Sequence, residues 1–174
     1  MVITPPTGPL VYASNGDLFV DEANGQSQTN ITNSAFTESE PVWSPDGTKI
    51  AYTSNEFGDN DIFIFSLDTM SATQVTTSSG NDRQPAWSHD GSQLAYTSDV
   101  NGNNDIFVVN VSDLNASPFS PIALISTVSD EQQPTWSTDS SQIAYASDTS
   151  GTGTNIFVVT VADTSTPTQI TFGD

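Results

Sequence analysis

The side chains best equipped for chemistry in this sequence are its carboxylates. Twenty-one Asp and Glu residues stand against two bases, Lys49 and Arg83, and a single histidine, His89. A general base needs a desolvated setting and an orienting partner. His89 lies in Trp87-Ser88-His89-Asp90-Gly91, a turn tip where neither is expected. Cysteine is absent and no Gly-x-Ser-x-Gly elbow occurs, so no standard nucleophile has an activator. Acid pairs of the glycosidase kind must flank a substrate, whereas most acids here recur at turn positions. The chain is therefore expected not to be an enzyme.

Cation or partner binding is the chemistry that the acids leave open. Glu38, Asp82 and Glu131 each stand three residues before a Pro-x-Trp triplet, with Glu40 and Asp130 close by. Carboxylates gathered near one axis would attract Ca2+ or a partner's Lys and Arg. Asp59, Asp61 and Asp105, in Asn- and Asp-rich loops, are weaker metal candidates, because such residues also simply make turns. Ca2+ is the one cofactor these residues suggest.

The charge balance narrows the partners. Net charge is −19, and only 13% of residues are charged, against roughly 25% in an average soluble protein. Two bases cannot displace counterions from a phosphate backbone, so nucleic acid is excluded as a partner. Anionic lipid surfaces repel the chain for the same reason, and no apolar run approaches the roughly 20 residues of a membrane span. Met1-Val2-Ile3-Thr4-Pro5-Pro6 lacks the basic start and apolar stretch of a signal peptide. Any export signal is thus expected to lie outside this sequence. Few Lys, abundant Ser and Thr and no Cys suit an extracytoplasmic protein: periplasmic, secreted or on the cell surface.

The elements that position these residues repeat. Pro41-Val42-Trp43-Ser44-Pro45-Asp46-Gly47, Ile50-Ala51-Tyr52-Thr53-Ser54 and Asp61-Ile62-Phe63-Ile64 recur in order as Pro85-Ala86-Trp87, Leu94-Ala95-Tyr96 and Asp105-Ile106-Phe107. They recur again as Pro134-Thr135-Trp136, Ile143-Ala144-Tyr145 and Asn155-Ile156-Phe157. A partial copy, Leu10-Val11-Tyr12-Ala13-Ser14 with Asp17-Leu18-Phe19-Val20, opens the chain and puts Ile3 at the tryptophan position. The units run approximately 1–34, 35–78, 79–127 and 128–174. Each predicts four short strands: β-branched and aromatic residues fill them, Pro-Asp-Gly supplies a tight turn, and no helical period is sustained. Four strands in about 40–50 residues is the arithmetic of a propeller blade. Recurrence assigns Trp43, Trp87 and Trp136, with Phe63, Phe107 and Phe157, to packing between blades.

Glu40-Pro41-Val42-Trp43-Ser44-Pro45-Asp46-Gly47, with Ile50-Ala51-Tyr52, Asp61-Ile62-Phe63 and Gln74-Val75-Thr76, closely resembles TolB-like propeller repeats, and the resemblance covers essentially the whole chain. It implies an all-β propeller of four blade-like, four-stranded antiparallel repeats, with the Trp strand innermost near a channel. Such repeats occur in periplasmic TolB, in secreted bacterial proteins and as the non-catalytic lid of prolyl-oligopeptidase-like enzymes. Two departures stand out. Family rings usually hold six or more blades, and Ser140 replaces the turn glycine. The leading expectation is a non-catalytic interaction module that presents loop surfaces to a protein or other ligand. The alternatives are a self-assembling subunit of a surface assembly or filament, and a gating fragment of a larger prolyl-oligopeptidase-like hydrolase. An open arc would leave Leu10, Tyr12, Phe19, Tyr145 and Phe157 on uncovered faces, which favours self-association.

Overall fold

The structure is a computed structural model that describes residues 8–22, 27–112, 121–148 and 153–172. The expected inner strand of the first unit, around Ile3, lies outside the described residues. Strands β1 (Leu10–Ser14), β2 (Asp17–Asp21) and β3 (Thr29–Asn30) form a three-stranded sheet. Three four-stranded sheets follow. The second holds β4 (Glu38–Trp43), β5 (Lys49–Ser54), β6 (Asp61–Ser66) and β7 (Ser71–Gln74). The third holds β8 (Asp82–Trp87), β9 (Gln93–Ser98), β10 (Asp105–Asn110) and β11 (Ile122–Ile125). The fourth holds β12 (Glu131–Trp136), β13 (Gln142–Ser147), β14 (Asn155–Thr160) and β15 (Asp163–Gln169). Every sheet is an antiparallel meander in chain order.

The turn between the first two strands of each full sheet is fixed locally. Asp46 Oδ1 accepts from Ser44 Oγ at 2.6 Å and from the Thr48 amide at 3.0 Å. Asp90 and Asp139 repeat this with Ser88 and Ser92, and with Ser137 and Ser141. Gly47 and Gly91 hold φ of 70° and 73° there, and Ser140 is driven to 59°, a region that costs a side-chain-bearing residue. These hydrogen bonds pull Asp46 and Asp139 down to about 2.

Alternation along the middle strands sends residues to opposite faces. One face carries a Tyr stacked on a Phe, at 5.6 Å between Tyr52 and Phe63 and 5.7 Å between Tyr96 and Phe107. The other face carries aliphatic residues. Three core clusters lie in the three seams between consecutive sheets. In the second seam Ile62, Ile64 and Val75 of the second sheet meet Tyr96, Phe107 and Trp87 of the third. No core cluster among the described residues joins the fourth sheet to the first, so the four sheets form an open arc.

The free faces are not all those expected from the sequence. Tyr145 is buried and Phe157 half-buried in the third seam, packed with Ile106 and Val108. The uncovered face of the fourth sheet carries Ile156 and Val158 instead. Phe157 and Ile156 are adjacent, and strand parity puts them on opposite faces. The expectation held for the first sheet, where Leu10 is exposed and Tyr12 and Phe19 are half-buried.

Candidate functional site: the channel face and the seams beside it

Each first strand is bent. Pairing between β4 and β5 slips between Ser39 and Val42, that between β8 and β9 between Arg83 and Ala86, and that between β12 and β13 between Gln132 and Thr135. The motif proline has no amide to donate to the ladder, and a bulge accommodates it. The residue before it takes positive φ: 53° at Glu40, 55° at Gln84 and 56° at Gln133. The bulge re-aims this side chain toward the next sheet. Glu40 Oε2 accepts from the Gln84 amide at 2.8 Å and from Thr53 Oγ1 at 3.0 Å. Gln84 Oε1 accepts from the Gln133 amide at 2.8 Å and from Thr97 Oγ1 at 3.0 Å. A chain of hydrogen bonds thus runs from sheet to sheet along the inner edge.

Beyond the bulge the three first strands enclose a groove of about 610 Å³. Trp43, Trp87 and Trp136 line it with Pro45, Pro85 and Pro134, and His89 stands at its rim. Each indole also packs against a seam, and Trp136 Nε1 donates to the Ala86 carbonyl at 2.9 Å. The tryptophans therefore serve both seam and groove. Phe63 and Phe107 are buried. Glu40, Gln84 and Gln133 open a second, smaller groove beside Pro41, Pro85 and Pro134. His89 is exposed at its turn tip, with no hydrogen-bond partner among the described residues.

The other acids sit elsewhere. Glu38, Asp82 and Glu131 are buried at the starts of β4, β8 and β12, one per seam. Each accepts a hydroxyl from four residues upstream: Ser34 at 2.5 Å, Ser78 at 3.1 Å and Thr127 at 2.7 Å. Each amide crosses the seam, to the carbonyls of Gly16, Asn60 and Asn104 respectively, at 2.7, 2.6 and 2.8 Å. The residue after that carbonyl is Asp17, Asp61 or Asp105. Asp61 accepts from Thr76 Oγ1 at 3.2 Å and Gln74 Nε2 at 3.0 Å, and Asp105 from Ser126 Oγ at 2.8 Å.

Burial pushes Asp61 up to about 6, with the charges of Asp59 and Asp82 adding to it. Burial likewise raises Asp82 and Glu131, and Asp105 adds to the rise at Glu131. Asp130 is half-buried and accepts from the Asn104 amide at 2.9 Å. Among the described residues no three Asp, Glu or His side chains gather as metal ligands. The three first-strand acids are therefore not collected into one cluster around the axis; each serves its own seam.

Gln84 and Gln133 were not singled out from the sequence. Their signal was present: a long side chain with an acceptor oxygen precedes the motif proline in every full repeat.

Like sheets arranged radially, with their first strands lining a shared groove, define a β-propeller scaffold. This chain belongs to the TolB beta propeller domain family, whose model matches residues 15–174. No curated protein is similar enough in sequence to match. Solved structures agree in fold. A protein assigned as TolB in Agrobacterium tumefaciens superposes with a TM-score of 0.73 at 19% identity, over 88% of this chain and 55% of its own. TolB from Acinetobacter baumannii gives 0.58 at 19% identity, over 97% of this chain and 54% of its own. A prolyl endopeptidase gives 0.70 at 12% identity, over 100% of this chain and 29% of its own. The chain spans about half the length of the TolB structures.

Proposed function

We propose that this arc is a non-catalytic, extracytoplasmic binding module whose recognition surface is the tryptophan- and proline-lined groove. One observation carries the reading: three consecutive repeats present the same indole to one groove of about 610 Å³, with Pro45, Pro85 and Pro134 beside it. Aromatic rings on a rigid scaffold offer large apolar contact at little entropic cost. The bulges and the Glu40–Gln84–Gln133 chain hold the strands that carry them. TolB-like propellers are generally protein-interaction modules, which supports a protein ligand. A scarcity of Lys and the absence of Cys support residence outside the cytoplasm. The exposed, unpartnered His89 supports a role without catalysis.

The test places a bulky charge in the groove. Ala86 lines the groove, its carbonyl accepts from Trp136 Nε1, and it pairs with Ala95 of the third-seam core. Ala86→Arg fills the space, and a melt run beside the binding assay checks that the seam stays intact. Protein ligands captured from a periplasmic or cell-surface extract should be lost with Ala86→Arg and retained with an exposed control such as Asp68→Asn. All three tryptophans face the groove, so the same ligands should also change the intrinsic fluorescence. Equal capture by Ala86→Arg would remove the groove from the reading.

A further inference from the structure

The two outermost faces of the arc match each other as the faces of its internal seams do. In each internal seam the earlier sheet brings aliphatic side chains, and the later sheet brings the Tyr–Phe stack. The fourth sheet repeats the aliphatic half, with Ile156 38% exposed, Ile170 54% exposed and Val158 half-buried. Beside Ala144 and Val158 lies a groove of about 150 Å³, a volume that a single aromatic ring can fill. The first sheet repeats the aromatic half: Tyr12 stacks on Phe19 at 5.7 Å, and Leu10 is 46% exposed.

We propose that a second copy of this chain covers these faces, the first sheet of one copy packing on the fourth sheet of the other. The argument is continuity with an interface that the chain already makes three times, using the same residue types at the same strand positions. The two faces differ, so the contact is head-to-tail rather than self-complementary. Two such contacts close two chains into a ring of eight sheets. The surface adjoins the tryptophan groove at Thr135 and Trp136, which line both. Each copy carries a charge of −19, so repulsion opposes the contact and added salt strengthens it.

Light scattering coupled to size exclusion tests this on the full chain. The expected result is a concentration-dependent mass of two chains, favoured by NaCl. Ile156→Lys and Leu10→Lys place a charge on one face each, at exposed positions outside the core clusters. Each should weaken association by more than about tenfold while leaving the circular dichroism, and the melting of dilute monomer, unchanged. Mixing the two variants should restore a dimer, because each retains the face that the other needs and one intact seam can form. Three results would overturn the proposal: a monomer at every concentration and salt, association indifferent to both variants, or two variants that fail to recover a dimer when mixed. The first would leave the faces to another occupant, such as a further repeat on the same polypeptide.

Discussion

Asp61-Ile62-Phe63-Ile64 and Asn155-Ile156-Phe157-Val158 are nearly the same sequence in the same strand of the second and fourth repeats, yet they live in different surroundings. Ile62 is 0% exposed and Ile156 is 38% exposed. The strand is set by local sequence, and the burial is set by whether another sheet follows. The acid tracks this difference. Asp61 is buried beside Asp82 of the next sheet, whereas the fourth unit carries the neutral Asn155, and among the described residues no sheet packs beyond it. A repeat motif therefore reports fold, while the burial of its residues reports which faces another sheet covers.

The sharpest way to break this comparison is a truncation at each site. Ile62→Ala empties a filled seam and should cost about 2–5 kcal/mol, the range for large aliphatic core truncations. Ile156→Ala, measured on dilute monomer, should change stability by about 0.5 kcal/mol or less, as exposed positions do. Urea unfolding of both variants gives the two numbers. Equal costs would mean that the fourth face is covered within one chain, against the open arc.

The acids sharpen the comparison through pH. Asp61 ordinarily titrates near 3.8 and is pushed up to about 6 in the folded chain. Between those values the folded state holds a proton that the unfolded state has released, so stability falls as pH rises from about 4 through about 6. Asp82 and Glu131, raised by burial, act in the same sense. The turn acids Asp46 and Asp139 act oppositely: held down to about 2, they contribute stability above about 4 that is lost on acidification. Asp61→Asn copies the fourth repeat. It should raise the melting temperature at neutral pH and give no gain near pH 4. A variant that is destabilised at both pH values would show that the charged form is favoured in the seam.

The inner chain of hydrogen bonds offers a paired test of similar kind. Gln84→Ala removes the acceptor for Gln133 and Thr97, and should cost about 1–2 kcal/mol for two bonds. Among the described residues no following sheet meets the Gln133 side chain, and Ala146 stands where Thr53 and Thr97 stand in earlier repeats. Gln133→Ala should therefore be close to neutral. Chemical denaturation distinguishes a relay that holds sheets together from one that merely decorates the channel.

These contrasts also mark how far the sequence reaches. The strands were legible because Pro-x-Trp, Ile-Ala-Tyr and Asp-Ile-Phe recur in one order with turn residues between them. Face assignment was legible in principle from parity, yet Tyr145 and Phe157 were placed on the wrong side. Which face meets the preceding sheet depends on the order of sheets around the axis, and strand composition does not state it. The acids Glu38, Asp82 and Glu131 were visible as a recurring set, but their destination was not. A carboxylate three residues before a proline can line a channel or close a seam, and the difference lies in partners such as Asn60 and Asn104, which come from another repeat.

The smallest effect concerns the one turn where the repeats disagree. Ser140 occupies φ of 59° where Gly47 and Gly91 occupy 70° and 73°. A side-chain-bearing residue pays roughly 1–2 kcal/mol in that region, so strain alone predicts that Ser140→Gly stabilises. An opposing term exists, because Ser140 Oγ accepts from the Asp90 amide at 3.1 Å and ties the third turn to the fourth. That bond is exposed, and water can replace it once the hydroxyl is gone, so its loss costs about 0.5 kcal/mol, the lower end for a hydrogen bond. The net expectation for Ser140→Gly is a gain of roughly 0.5–1.5 kcal/mol. Ser140→Ala keeps the strain, loses the bond and should be destabilising. Gly47→Ser adds strain without that bond and should cost about 1 kcal/mol. Thermal melts of the three variants rank them, and a loss from Ser140→Gly as large as that from Ser140→Ala would show that the link from turn to turn outweighs the backbone strain.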